Sequence, residues 1–219
     1  MARDGAPSQL YLVLPVAAST VAEMDARVAA AQATAALATV LLEPDAENPP
    51  SPSDLAGLVS AIQKRGIATL IASDAALARV VKADGVHLPP AKTLAATYKD
   101  ARETLGSRFI VGVDVGRSRH DAMSLGEGGA DYIGFGIPAH VEDRESARER
   151  RIGLIDWWSE IFQVPCVAFD IETPEDAHDL VRAGADFIAV RLPADLPDAA
   201  VAAHLALFAA ALDQPAPVT

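Results

Sequence analysis

Gly129-Ala130-Asp131-Tyr132-Ile133-Gly134-Phe135-Gly136 decides how this chain folds, and Gly184-Ala185-Asp186-Phe187-Ile188-Ala189-Val190 repeats its pattern. In each stretch a glycine stands where a helix ends in a left-handed turn, a small residue and an aspartate follow, and an apolar strand begins. Lys82-Ala83-Asp84-Gly85 is a looser third copy, and the three aspartates lie 47 and 55 residues apart. Each interval has room for two helix-strand units or slightly less, so the copies punctuate a chain that alternates helix and strand.

Outward from these junctions, short apolar runs read as strands at 9–16, 39–42, 69–71, 85–88, 109–113, 132–135, 166–169 and 187–190. Their hydrophobes are nearly continuous, as parallel strands covered on both faces require. Helix starts are also legible. Thr20-Val21-Ala22-Glu23 fits a capping box. In Thr173-Pro174-Glu175-Asp176 a capping threonine precedes a proline suited to the first helical position. Eight strands with intervening helices imply a closed (β/α)8 TIM barrel, favoured over an open doubly wound sheet. The expected organisation is one domain over 1–219, with 1–8 and 213–219 as flexible ends. Its active surface would be the loops that follow the strands.

The chain has 219 residues, and 18 Lys and Arg against 30 Asp and Glu give a formal charge of −12. That acidity argues against nucleic-acid and membrane partners, which need a basic face. With 51% hydrophobic and 22% charged residues, the chain can bury a large core. The apolar runs 29–42 and 199–212 fall short of the roughly 20 residues of a membrane span. The lone Cys166 cannot form an internal disulfide, and the start does not read as a secretory leader, so a cytoplasmic location is expected.

Gln9-Leu10-Tyr11-Leu12-Val13, Ala83-Asp84-Gly85-Val86-His87, the two stretches quoted first, and Thr173-Pro174-Glu175-Asp176-Ala177 together resemble the framework of thiamine phosphate synthases and the related thiazole tautomerases. The resemblance runs over roughly residues 9 to 191. It implies thiamine biosynthesis and, in the synthase, a Mg²⁺-assisted coupling of a pyrimidine pyrophosphate to a thiazole phosphate with release of pyrophosphate. The expected partners are therefore a small molecule, a phosphorylated thiazole or pyrimidine, and further copies of the chain in a homo-oligomer.

Position by position, the resemblance breaks where that chemistry is done. After the second strand the synthases place an Arg and a Lys; here Glu43-Pro44-Asp45 stands, carboxylates that repel a pyrophosphate. After the third, Asn-Asp becomes Ser73-Asp74, which keeps Asp74 as a candidate Mg²⁺ ligand. The second metal carboxylate, expected after the fourth strand, is missing from Pro89-Pro90-Ala91-Lys92. A serine after the fifth becomes Asp114, and the Thr-x-Thr-Lys flap after the sixth becomes Ile137-Pro138-Ala139-His140-Val141. The glycine pair after the seventh becomes Phe169-Asp170. A serine turn after the eighth becomes Arg191-Leu192-Pro193, where Arg191 is a candidate anion grip.

Glu43, Ser73, Asp114 and Arg191 are accordingly the candidate substrate-binding residues, Asp74 the candidate metal ligand, and His140 and Asp170 the candidate catalytic groups. His140 stands near a His-Val pair of the tautomerases, where an imidazole can move protons at neutral pH. For the carboxylates, capping of the following helix is the competing structural role. No His-x-His or His-x-x-x-His spacing points to zinc. Glu142–Arg151 mixes four acids with four arginines, and Asp143–Arg151 reads as a solvated helix or a mobile flap, the like charges four apart favouring a flexible loop. Trp157-Trp158 is expected to open the sixth helical region. Two functions stay open: an enzyme of this group with altered substrate, or a barrel that binds a ligand or protein without the coupling reaction.

Overall fold

The computed structural model describes residues 7–212. In chain order they form β1 (Gln9–Val16), α1 (Met24–Gln32), β2 (Leu37–Pro44), α2 (Pro52–Gln63), β3 (Ala68–Ala72), α3 (Ala75–Val80), β4 (Gly85–Leu88), α4 (Leu94–Leu105), β5 (Ile110–Asp114), α5 (Arg119–Glu127), β6 (Tyr132–Phe135), α6 (Arg144–Ile161), β7 (Cys166–Ala168), α7 (Pro174–Arg182), β8 (Phe187–Arg191) and α8 (Asp198–Leu212). Each strand pairs in parallel with the next, and β8 closes on β1 from Gln9↔Phe187 to Val13↔Arg191. The architecture is the closed (β/α)8 barrel. The ends expected to be flexible lie outside the described residues except for Pro7 and Ser8, and Ser8 Oγ donates to the Ala185 carbonyl at 2.6 Å. Among the described residues no helix is long and apolar enough to cross a membrane.

The three junctions share one device. Gly129 and Gly184 take positive φ, at 91° and 92°, and in the third copy Lys82 takes it at 59°. The aspartate two residues later then reaches across to the preceding strand. Asp84 accepts from Thr69 N, Asp131 from Val111 N and Asp186 from Cys166 N, each at 2.7 Å. Each carboxylate satisfies an amide at the foot of the barrel, where an unpaired donor would be costly.

Alternation along the strands separates two cores. On β1, Leu10, Leu12, Leu14 and Val16 face the helices, whereas Tyr11 and Val13 join Leu41, Leu70, Tyr132, Val167, Phe169 and Ala189 inside the barrel. Gly112 and Gly134 make room for the aromatic rings of that inner layer. A Cβ on Gly112 would come 1.9 Å from the Tyr132 ring, and one on Gly134 2.9 Å from Phe169.

Three local expectations are corrected. Thr20 makes no side-chain cap; its Oγ1 bonds with the backbone of Ala17 instead, and a single 3-10 turn precedes α1. The charged segment 142–151 is not a flexible loop, because Asp143 caps α6, accepting from Ser146 N, and the helix runs on from Arg144. Trp157 and Trp158 therefore lie in the last turns of α6 rather than at its start. Thr173, by contrast, caps α7 as read, accepting from Asp176 N, with Pro174 in the first turn.

Candidate functional site

The C-terminal ends of the strands open into a cavity of about 1030 Å³. Its lining brings together all of the candidate residues: Glu43 from β2, Ser73 and Asp74 after β3, Asp114 from β5, His140 after β6, Asp170 after β7 and Arg191 from β8. Six carboxylates line it (Glu43, Asp45, Asp74, Asp114, Asp170 and Glu172) against two arginines, Arg144 and Arg191, so its field is negative. Neither arginine is spare. Arg191 Nη2 pairs with Glu43 at 2.5 Å, and Arg144 with Glu172 at 2.6 Å.

Asp74, Asp114 and Asp170 also accept from backbone amides. Asp74 caps α3 by accepting from Leu77 N at 2.8 Å. Asp114 Oδ1 accepts from Gly116 N at 2.7 Å and from Gly136 N at 3.1 Å, and Asp170 Oδ2 accepts from Ile137 N at 2.8 Å. Asp170 holds φ +56° and Ser73 +67°, left-handed conformations that glycine adopts most easily. At Asp170 a conformation suited to glycine carries a carboxylate in its place. Amides at this mouth that would meet an anion are thereby already engaged by side-chain oxygens.

Asp114 and Asp170 approach each other across Gly136. One Oδ2 of each lies within 2.6 Å of the point a Cβ on Gly136 would occupy, so the two oxygens are within about 5 Å of one another. Only Asp114 is buried, at 4% exposure. Burial raises its carboxyl to about 6, and the neighbouring Asp170 charge adds to the rise; the amides of Gly116 and Gly136 and the charge of Arg151 oppose it. Because the folded form holds its proton more tightly than the unfolded form, near 3.9, this group stabilises the fold fully below pH 4. That stability is lost as pH rises through 6. His87 works in the opposite sense. Burial lowers it to about 3, so its contribution is present above pH 6.5 and lost on acidification. Asp114→Asn keeps an oxygen for both amides and removes only the first dependence. The stability gap between variant and parent is expected to widen in the variant's favour by about 2–3 kcal/mol from pH 4 to pH 7. Chemical denaturation at several pH values measures that gap, and a constant gap refutes the assignment.

Nothing in the sequence selects among Arg144, Arg148, Arg150 and Arg151 as a replacement for the flap lysine of the synthases, and the structure assigns three of them a common partner segment. Arg144, Arg148 and Arg151 recur at i, i+4 and i+7 and so share one helix face. That face grips the loop between β7 and α7: Arg144 and Arg148 meet on Glu172, and Arg151 pairs with the buried Asp176 at 2.6 Å. Arg151 Nη1 also donates to the carbonyls of Phe169 and Asp170. The i, i+4, i+7 spacing was the available signal, once α6 is known to be a helix.

His140 is exposed on the cavity rim. His87 stands deeper, at 5% exposure, also lining the cavity. Among the described residues no group of three or more His, Cys, Asp and Glu side chains is placed to hold a metal ion. Asp74 has one oxygen left after capping α3, and the neighbouring β4 end offers Pro89 and Pro90. That donor set does not fit Mg²⁺, which seeks several oxygens in octahedral array.

A family model described as thiamine monophosphate synthase matches residues 10–192. Thiamine-phosphate synthase of Erythrobacter litoralis (strain HTCC2594) is 42% identical over 126 residues, covering 57% of this chain and 58% of that protein. Thiamine-phosphate synthase of Hyphomonas neptunium (strain ATCC 15444) is 39% identical over 161 residues, 70% of each. The match to the Erythrobacter protein, like that to its Rhodospirillum centenum counterpart at 61%, spans about three fifths of the relative's length. Among solved structures, thiamine phosphate pyrophosphorylase from Pyrococcus furiosus superposes with a TM-score of 0.69 at 19% identity, covering 94% of this chain and 96% of that one. At that identity the likeness is one of fold.

Proposed function

The chain belongs to the thiamine monophosphate synthase family, and from that premise we propose that it is a barrel of thiamine biosynthesis whose mouth binds a small molecule without the pyrophosphate-releasing coupling. The observation that carries this reading is the engagement of Arg191 by Glu43. A pyrophosphate leaving group needs uncommitted cations, and at the end of β2, where the resemblance predicts them, the chain supplies the carboxylate that neutralises Arg191. Loss of one charge-stabilising group lowers a rate by roughly 10²–10³, and here several are absent together. The Gly136 and Ile137 amides, held by Asp114 and Asp170, deepen the same deficit.

The test is direct. Folded protein incubated with pyrimidine pyrophosphate, thiazole phosphate and Mg²⁺ is expected to release neither thiamine phosphate nor pyrophosphate above background. Turnover at an ordinary enzymatic rate, on the order of 1 s⁻¹ or faster, overturns the proposal. Binding without turnover is read by thermal shift against phosphorylated and unphosphorylated metabolites. A ligand at about 100 times its Kd adds about 2.7 kcal/mol of stability.

A further inference from the structure

A chain of polar groups crosses the interior of the barrel and ends at the mouth cavity. Tyr11 Oη on β1 lies 2.9 Å from Tyr132 Oη on β6, which lies 2.8 Å from Nδ1 of His87 on β4. All three side chains are buried among apolar neighbours, and the Phe169 ring packs against both Tyr11 and His87. Among the described residues neither Tyr11 Oη nor His87 Nε2 has any further hydrogen-bond partner. His87 itself lines the cavity, and Nε2 is not one of the sealed, unpartnered side-chain atoms of the interior.

Counting protons orients this chain. Two hydroxyl protons and one imidazole proton serve two contacts. If Tyr11 donates to Tyr132, and Tyr132 to Nδ1, both hydroxyl protons are used and the imidazole proton sits on Nε2. In the reverse order Nδ1–H donates to Tyr132, Tyr132 donates to Tyr11, and the Tyr11 proton is stranded in the apolar interior. The cost of a stranded buried donor favours the first order by a factor of roughly 5 to 150. An imidazolium would leave one of the two hydroxyl protons without an acceptor, and burial keeps the ring neutral in any case.

We propose that Tyr11 and Tyr132 hold His87 as its Nε2–H tautomer, making that proton a fixed, uncharged donor in the mouth cavity that selects a flat, uncharged ligand with an exposed lone pair. Flatness is favoured by the Phe169 ring, 4.6 Å from the His87 ring, and anions are disfavoured by the carboxylates of the lining. The selection rests on the mouth being a ligand site, as proposed above; the proton placement does not. Tyr132 is a positioning residue, acting only through His87.

Long-range ¹H–¹⁵N NMR of the full chain at about pH 7, with His87 assigned through His87→Gln, reads the tautomer directly. The parent is expected to show Nε2–H. Tyr132→Phe, which removes the donor to Nδ1, is expected to give mixed tautomers. Tyr11→Phe is expected to keep Nε2–H, because Tyr132 still has only His87 to receive its proton. Pyridine, a neutral flat acceptor, should move the Nε2 proton signal downfield, whereas inorganic phosphate at the same concentration should not. An Nδ1–H parent, or a tautomer indifferent to Tyr132→Phe, overturns the placement whether or not the mouth binds anything. A response to phosphate in place of pyridine, or no response to pyridine, overturns the selection. If other metabolites still shift the melting temperature in that last case, the ligand site stands and only the role of His87 falls.

Discussion

Arg151→Ala is expected to cost about 3–5 kcal/mol of folding stability, the range for breaking a buried ion pair by removing one partner. The two side chains are 1% and 4% exposed, and Arg151 Nη2 reaches both oxygens of Asp176, at 2.7 and 2.6 Å. Truncation leaves the buried Asp176 charge without its ion-pair partner. It also frees the carbonyls of Phe169 and Asp170, which Arg151 Nη1 holds at the cavity edge. At 2–4 °C per kcal/mol for a domain of this size, Tm should fall by roughly 6–20 °C. Arg151→Lys should recover little, since an ammonium cannot span two carboxylate oxygens and two carbonyls with a planar fork. Joint replacement of Arg151 by Met and Asp176 by Leu should cost less than Arg151→Ala alone, because no charge is then stranded. Equilibrium unfolding of the three variants decides the matter. A loss below about 1 kcal/mol for Arg151→Ala would show that the pair contributes no more than a surface one.

Trp158→Ala is expected to be comparably damaging, for a different reason. This side chain is fully buried, stacks on Phe162 at 3.9 Å with an interplanar angle of 9°, and meets Phe135 edge-on at 6.0 Å. Its Nε1 donates to the Val164 carbonyl at 2.8 Å. The fit is close enough that a Cβ on Gly126 would come within 2.8 Å of the indole. Removal opens a large cavity between α6 and the barrel, and Trp→Ala changes at such sites cost about 3–5 kcal/mol. Trp158→Phe, which fills most of that space, should cost clearly less. Thermal melts of both variants measure the difference; equal losses would mean that the indole's volume is not what stabilises this contact.

The barrel was legible because each of its eight strands is a nearly continuous apolar run, and because the Gly-Ala-Asp junctions announce themselves locally. Thr20 was misread because a capping box is written into four residues while the actual partner of Thr20 Oγ1 is the backbone of Ala17, upstream of them. The arginines of α6 were misread for the opposite reason. Taken within the segment, Arg144 and Arg148 repel; their common partner, Glu172, lies 24 residues beyond Arg148, across a strand. The convergence of Glu43, Asp74, Asp114 and Asp170 followed once the strands were placed, since each ends or follows a strand. The pairing of Glu43 with Arg191 did not, because it depends on where β2 and β8 lie around β1. The Tyr11–Tyr132–His87 chain was likewise invisible, joining three strands by side chains that sequence patterning marks only as core.

Asp84, Asp131 and Asp186 anchor strands at the foot of the barrel, the end away from the cavity. Such an arrangement separates what keeps the molecule assembled from what it recognises. Loops at the opposite rim that make no such buried contacts can be exchanged, lengthened or recharged without disturbing those anchors, so a randomised library of the segment after β2 should still yield mostly folded members. This chain is then a scaffold on which new specificities are accessible by selection, and the acidic rim it carries is one solution among many that the same foot can support.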